Sequence, residues 1–352
     1  MAVSDAVSTT SFQIHDIISH AVRRCKIAPA KLDAEMFEAA QHNLYLLTSS
    51  LANQGYPLWC LEKIILGPLT AQGLLQTPTG TVDIENANIR EVTIPTGTAA
   101  SSAGGTASNA FDQTLANACT QTAPDGNISL VYATDQQIVN VGVMSATTQT
   151  YALVFERSSD GGATWTTALA VSSRSYTAAT WYYFDIDAQP GDTDAFRVRE
   201  TGGATLDITQ LVFASSPAEV VLARLNKDDF FNLNNKTSQG KPTQYWFDRK
   251  RTQPVMNLWP VPQNSFYQIV VLRHRYIMDP GVSTNEIDVP QRWYDAIVWG
   301  LASYMAVEME GVPGEMMGYV DARFRRALLE AQTEERDSSA IKYGPNISIY
   351  TT

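Results

Sequence analysis

Asp185, Asp187, Asp192 and Asp194 place four carboxylates within a ten-residue span. Pairs of carboxylates carry out glycoside hydrolysis, and clusters of oxygen ligands hold Ca²⁺. Here they surround the turn formers Gln189-Pro190-Gly191-Asp192, where aspartates are ordinarily solvated, and their spacing fits no twelve-residue calcium loop. The densest positive charge is Arg249-Lys250-Arg251, with Arg273, His274 and Arg275 further on. It reads first as a salt-bridged strand edge and second as a channel or interface surface that faces DNA. The histidines, His15, His20, His42 and His274, form no HExxH, and the sequence holds neither a P-loop nor a nucleophile elbow. No catalytic residue, metal ligand or cofactor site is therefore assigned, and the expectation is a protein that is not an enzyme.

Bulk properties narrow the classes further. The chain has 352 residues and 44% hydrophobic content, enough for two or three domains with real cores. Its net charge of −11 repels a phosphate backbone, which argues against sequence-reading nucleic-acid binding. The start, MAVSDAVSTT, has neither the basic region nor the apolar run of a secretory signal, and residues 296–307 are too short an apolar stretch to span a bilayer. A soluble protein made in cytoplasm is expected. Cys25, Cys60 and Cys119 are odd in number and widely spaced, so buried thiols are expected and not a disulfide framework.

The elements that must position these groups change character along the chain. Residues 77–217 contain no Lys and no His; five Arg against fourteen Asp+Glu give them −9 of the total −11. Short β-branched and aromatic runs at 128–132, 138–143, 151–155, 182–186, 196–198 and 206–213 alternate with turn formers, the pattern of an antiparallel sandwich. The flanks have helical periods instead. Ile14, Ile17, Ile18, Ala21, Val22 and Cys25 share one helix face, and Met36, Ala40, Leu44, Leu47 and Leu51 share a second. Asp288 and Pro290 predict the N-cap and first turn of a third helix carrying Trp293, Ile297, Leu301 and Met305. Met317, Val320, Phe324, Leu328 and Ala331 mark a fourth, and strands are expected at 257–262 and 267–272. The expected fold class is α+β: a helical-bundle core with a small β element, holding an inserted jelly-roll-like antiparallel β-sandwich. The expected segments are 1–76 and 218–337 for the core, 77–217 for the insert, and 338–352 for an extended carboxy-terminal arm.

Three motifs occur in order in the second half: Gly240-Lys241-Pro242, Trp259-Pro260-Val261-Pro262, and Pro290 to Ala296 with Trp293 between them. With the helices near the amino terminus and Gly55-Tyr56-Pro57-Leu58-Trp59, they resemble head-to-tail adaptor (head-completion or tail-tubular) proteins of short-tailed bacteriophages. The resemblance covers about 210 residues, the chain minus its insert. It implies a structural virion protein at the head-tail junction, in a ring of normally twelve copies beneath the portal. Its partners would be the portal, a tail or nozzle protein and passing DNA, with no membrane. Tyr343, Ile347, Ile349 and Tyr350 would anchor the arm to the portal. Read without the resemblance, Trp59, Trp246, Trp259 and Trp293 are core anchors and the prolines mark strand ends.

Within the insert, Ala107-Ser108-Asn109-Ala110-Phe111-Asp112 resembles the opening of galactose-binding-like jelly rolls. Ser158-Ser159-Asp160-Gly161-Gly162-Ala163-Thr164-Trp165 fits the Asp-box pattern of sialidases and other β proteins. One copy serves as a hairpin device, since a propeller needs several blades of about 40 residues. The insert reads first as a surface domain that decorates the ring. Glycan binding through Trp181 or Tyr182 and Ca²⁺ binding are alternatives. For the whole chain, the rival to the adaptor is a carbohydrate-binding tail module contacting the host, with a glycan-degrading enzyme third.

Overall fold

The structure is a computed structural model and describes residues 12–28, 32–54, 58–67, 71–112, 114, 116–186, 193–215, 218–264, 267–279, 281–309 and 312–335. The described residues begin with helices α1 (Ile14–Arg24) and α2 (Ala34–Asn53), then strands β1 (Leu61–Leu66), β2 (Leu74–Gln76) and β3 (Thr81–Glu91). Nine strands follow: β4 (Gly97–Ser101), β5 (Cys119–Thr120), β6 (Asn127–Tyr132), β7 (Ile138–Ser145), β8 (Gln149–Ser158), β9 (Thr166–Tyr176), β10 (Trp181–Asp185), β11 (Ala195–Glu200) and β12 (Asp207–Ser215). After them come β13 (Glu219–Val221), β14 (Ala223–Arg224), the short helix α3 (Lys227–Phe231), β15 (Gln239–Gly240), β16 (Gln244–Asp248), β17 (Val255–Trp259), β18 (Val261–Pro262) and β19 (Tyr267–Arg275). Helices α4 (Tyr294–Glu308) and α5 (Gly314–Glu334) complete the described chain. Two compact units result, one from Met1–Leu61 with Arg275–Thr352 and the other from Glu62–His274.

The first unit is built from both ends of the chain. Helix α1 buries Ile14, Ile17, Ile18, Ala21 and Val22, the stripe that its sequence period marks. Asp33 starts α2, its carboxylate accepting from the Met36 N–H at 2.7 Å. Both helices share one core with α4 and α5, in which Trp293 is fully buried and Trp59 lies 5.1 Å from it, ring to ring. A Cβ on Gly300 of α4 would sit 2.8 Å from Leu47 and 2.9 Å from Phe324, so the absence of a side chain there lets three helices approach closely. The start of α4 departs from expectation. A single 3₁₀ turn, Gln291–Trp293, precedes it, and Asp288 does not cap it. The Asp288 carboxylate instead pairs with Arg275 and accepts from the Met278 N–H, so it is already committed.

The second unit holds two β bodies. One is a sandwich of two antiparallel sheets, ordered β10-β7-β12-β5 and β4-β6-β11-β8-β9. Alternation along the strands points Tyr151, Leu153, Phe155, Phe196, Val198, Leu211 and Phe213 into a common core. The β8–β9 hairpin turns on the Asp-box. Ser158 Oγ donates to Asp160 at 2.6 Å, Asp160 accepts from the Thr164 N–H at 2.8 Å, and Gly162 takes φ +89° against the Trp165 ring. Hydrogen bonds from Ser158 and Thr164 hold the Asp160 carboxyl down at about 2. Beside it, burial works to raise the Glu156 carboxyl, but hydrogen bonds from Arg199 and Arg197 outweigh burial and keep it below the usual range.

The other β body consists of sheets ordered β1-β19-β3-β13 and β14-β16-β17-β2, with the parallel pair β15-β18 beside them. Its own core is formed by Leu75, Ile84, Ile89, Tyr245, Met256, Leu258, Tyr267, Ile269 and Val271. The fold is thus mostly β, and the β structure outside the sandwich is larger than the small element expected from sequence. Strand β3 belongs to this body, pairing with β13, so residues 81–91 lie outside the sandwich, whose strands begin at Gly97. Trp246 and Trp259 are only half-buried here, in contrast to Trp293. The Trp259-Pro260 peptide is cis.

Candidate functional site

In the four-stranded sandwich sheet β10 is an edge, and in the five-stranded sheet β9 is an edge. A cleft of about 900 Å³ takes in residues of both edges, together with β1 and β2 of the other β body. Its lining includes Lys63, Ile64, Leu66, Arg174 and every residue from Trp181 to Asp185. A second cleft, of about 370 Å³, shares Leu66, Gln76, Thr180 and Trp181 with the first.

Strand β10 makes this wall because its side chains alternate. Tyr182 and Phe184 pack toward the sandwich core, whereas Trp181 packs against Val92, Val212 and Ala214. Trp181 stacks on Tyr183, 5.1 Å between centroids and 20° between planes. Two glycines leave room for Tyr183: a Cβ on Gly67 or Gly142 would come within 2.5 Å or 2.6 Å of its ring or hydroxyl. Tyr182 is pinned at its tip, its hydroxyl accepting from the Thr177 N–H at 3.0 Å.

Asp185 closes the strand and is held from several sides. It pairs with Lys63 and accepts from Arg90 Nη2 at 2.7 Å and from Asn140 Nδ2 at 3.0 Å. Arg90 Nε donates to Gln268 at 2.8 Å, and Gln268 Nε2 donates to Asn140 Oδ1 at 2.8 Å, closing the network. Partial burial pushes the Asp185 carboxyl up, but the bonds from Lys63 and Arg90 more than offset this, so it stays below the ordinary carboxylate range and is ionised at neutral pH. A carboxylate so committed fixes the strand against β1, β3 and β19, and it is a poor proton donor.

Arg174, on β9, is the other cation of the wall. Its guanidinium carbon lies 4.8 Å from the Tyr182 ring centroid, 5.6 Å from Tyr176 and 5.9 Å from Phe184. Neither its strand nor its role stood out in the sequence, because it sits in the Ser-rich run Val171-Ser172-Ser173-Arg174-Ser175. Trp181 and Tyr182, the candidate glycan contacts, both line the cleft.

The other candidates that the structure describes, Asp185 aside, are not among the residues lining the cleft. Asp194 accepts from the Gly161 N–H at 2.8 Å, away from Asp185, and Asp187 and Asp192 fall outside the described residues. Among the described residues no three His, Cys, Asp or Glu side chains gather as metal ligands would. Arg249 pairs with Asp83, Lys250 lies 3.7 Å from Asp248, and Arg273 binds Glu62 at 2.7 Å and Thr81 at 2.9 Å. Arg251 is exposed, and Arg275 belongs to the first unit, paired with Asp288. Tyr343, Ile347, Ile349 and Tyr350 lie outside the described residues. Cys25, Cys60 and Cys119 are buried and form no disulfide, and burial pushes the Cys25 thiol up to about 11. No helix among the described residues is long and apolar enough to cross a membrane.

The sequence matches no family model, and no curated protein matches it. Solved structures do align with about a third of the chain. Chitosan-binding module 1 of a chitosanase/glucanase from Paenibacillus sp. IK-5 is 18% identical, covering 34% of this chain and 95% of its own, at a TM-score of 0.30. An F5/8 type C domain from Bacteroides fragilis is 12% identical over 36% of this chain and 97% of its own, with a TM-score of 0.31. A family 32 carbohydrate-binding module from C. perfringens, in complex with galactose, is 13% identical over 32% of this chain and 90% of its own, with a TM-score of 0.27. These neighbours are carbohydrate-binding and F5/8 type C domains, and none of the three is a head-to-tail adaptor. Likeness at that level assigns no ligand to this chain.

Proposed function

We propose that this protein is a non-catalytic binding protein whose sandwich holds a carbohydrate in the cleft along β9 and β10. The observation that carries the reading is the aromatic lining of β10, Trp181 stacked on Tyr183 on one face of the strand and Tyr182 on the other, around a cleft of about 900 Å³. A sugar ring presents an apolar C–H face that packs on such rings, while its hydroxyls need donors and acceptors around them. Gln76, Thr177, Thr180 and Gln253 supply those at the rim. Binding suits the site better than acid–base chemistry, because glycoside hydrolysis uses two carboxylates and Asp185 is tied to Lys63, Arg90 and Asn140. Calorimetric titration of oligosaccharides into the full chain tests this. Trp181→Leu should weaken binding about 30-fold, as loss of a central aromatic anchor does. Equal affinity of the two proteins would remove the cleft from the reading.

A second reading concerns the helical unit: a subunit of a head-to-tail adaptor ring beneath a phage portal. It is favoured by a body assembled from both chain ends that leaves Tyr45, Leu46, Val307, Met317, Tyr319 and Leu329 exposed on α2, α4 and α5. Large apolar side chains in such number on one helical body suit side-by-side packing of copies. Ring assembly and carbohydrate binding use different units and are compatible in one chain.

A further inference from the structure

We propose that the saccharide taken by this cleft is acidic, and that Arg174 reads its carboxylate. The proposal rests on the carbohydrate reading and gives its ligand class. Arg174 is exposed on an edge strand and lies over the Tyr182 ring, with no ion pair to any carboxylate among the described residues. Other arginines of the same acidic stretch are committed: Arg90 to Asp185, and Arg197 and Arg199 to Glu156. In a chain of net charge −11, carboxylates are plentiful, yet this guanidinium is held by rings. An arginine lying over an aromatic face keeps its in-plane N–H donors for a partner at the ring's edge, and their fork matches a planar carboxylate two bonds at a time. The described charges of the lining are Lys63 and Arg174 against Asp185, two positive and one negative, and the Lys63 and Asp185 charges pair with each other. Among the described residues of the lining, the cation left without a carboxylate partner is Arg174, over the Tyr182 ring. That combination fits a sugar bearing a carboxylate, whether an internal uronate or a terminal acidic residue.

The test uses the full chain and three probes: an oligogalacturonate, the same oligosaccharide with its carboxylates methyl-esterified, and a sialylated oligosaccharide. The esterified probe keeps shape and hydroxyls while removing charge. The free acid should bind about tenfold or more tighter than the ester, as a charge-assisted pair contributes, and the ratio should shrink as salt rises. Arg174→Gln should collapse that ratio to about one, and Arg174→Lys should retain part of it. Preference for the sialylated probe over the oligogalacturonate, also lost in Arg174→Gln, would identify a terminal acidic sugar as the source of the carboxylate. Equal binding of acid and ester, or a ratio that survives Arg174→Gln, would overturn the inference and leave carbohydrate binding standing. Binding of none of the probes, nor of neutral oligosaccharides, would overturn both.

Discussion

Arg90 shows how single residues set the cleft. Its side chain is 5% exposed, and three of its nitrogens reach Asp185, Gln268 and Glu219. Arg90→Met keeps the stem and deletes the guanidinium, leaving Asp185 and Gln268 short of a partner. A fully buried broken pair costs about 3–5 kcal/mol; because Asp185 is a third exposed and retains Lys63, we expect roughly 2–3 kcal/mol. Urea unfolding of the two proteins measures it, and a shift below about 0.5 kcal/mol would mean that the network does not fasten β10 to β3. None of this was legible in sequence, since Arg90, Asn140, Asp185 and Gln268 are far apart in the chain and each looks like an ordinary polar residue. Trp181 and Tyr182 stood out in the sequence as adjacent aromatics, and both line the cleft, on opposite faces of their strand. Arg174 did not stand out, because its meaning depends on the rings beneath it.

Elements were legible where one face is apolar. Helices α1 and α2 and strands β6, β7, β8 and β12 carry periodic apolar residues, and the structure forms them close to those positions. Strand β9 was missed: Thr166, Thr167, Ser172, Ser173 and Ser175 dilute its pattern, and as an edge strand it needs fewer apolar side chains. The cap of α4 was misassigned because Asp288 has a stronger partner in Arg275 than any backbone N–H. Val307 is 76% exposed and Leu329 59%, so Val307→Asp with Leu329→Asp should leave stability within about ±0.5 kcal/mol per site. If the helical unit packs against copies or a portal, mass photometry with that portal should show complexes for the parent chain and few for the variant. Undiminished assembly of the variant would separate these faces from any interface.

At the scale of the whole chain, composition revealed less than architecture. The break near residue 77 reports the onset of an acidic, Ser/Thr-rich stretch, whereas the compact units divide at Leu61/Glu62 and His274/Arg275. The β body formed by β1, β2, β3 and β13 to β19 has an ordinary composition, so nothing in residue content separates it from the helices that flank it in sequence. It is also where the cleft acquires its second wall, through Lys63, Ile64 and Leu66. An isolated sandwich would lack that wall, which is why binding should be measured on the full chain. The most direct measurement is an experimental structure of the full chain with a bound acidic oligosaccharide. It should place a sugar ring against Trp181 and a carboxylate within hydrogen-bond reach of Arg174; a sugar bound on the helical unit, or elsewhere on the sandwich with this cleft empty, would contradict the account.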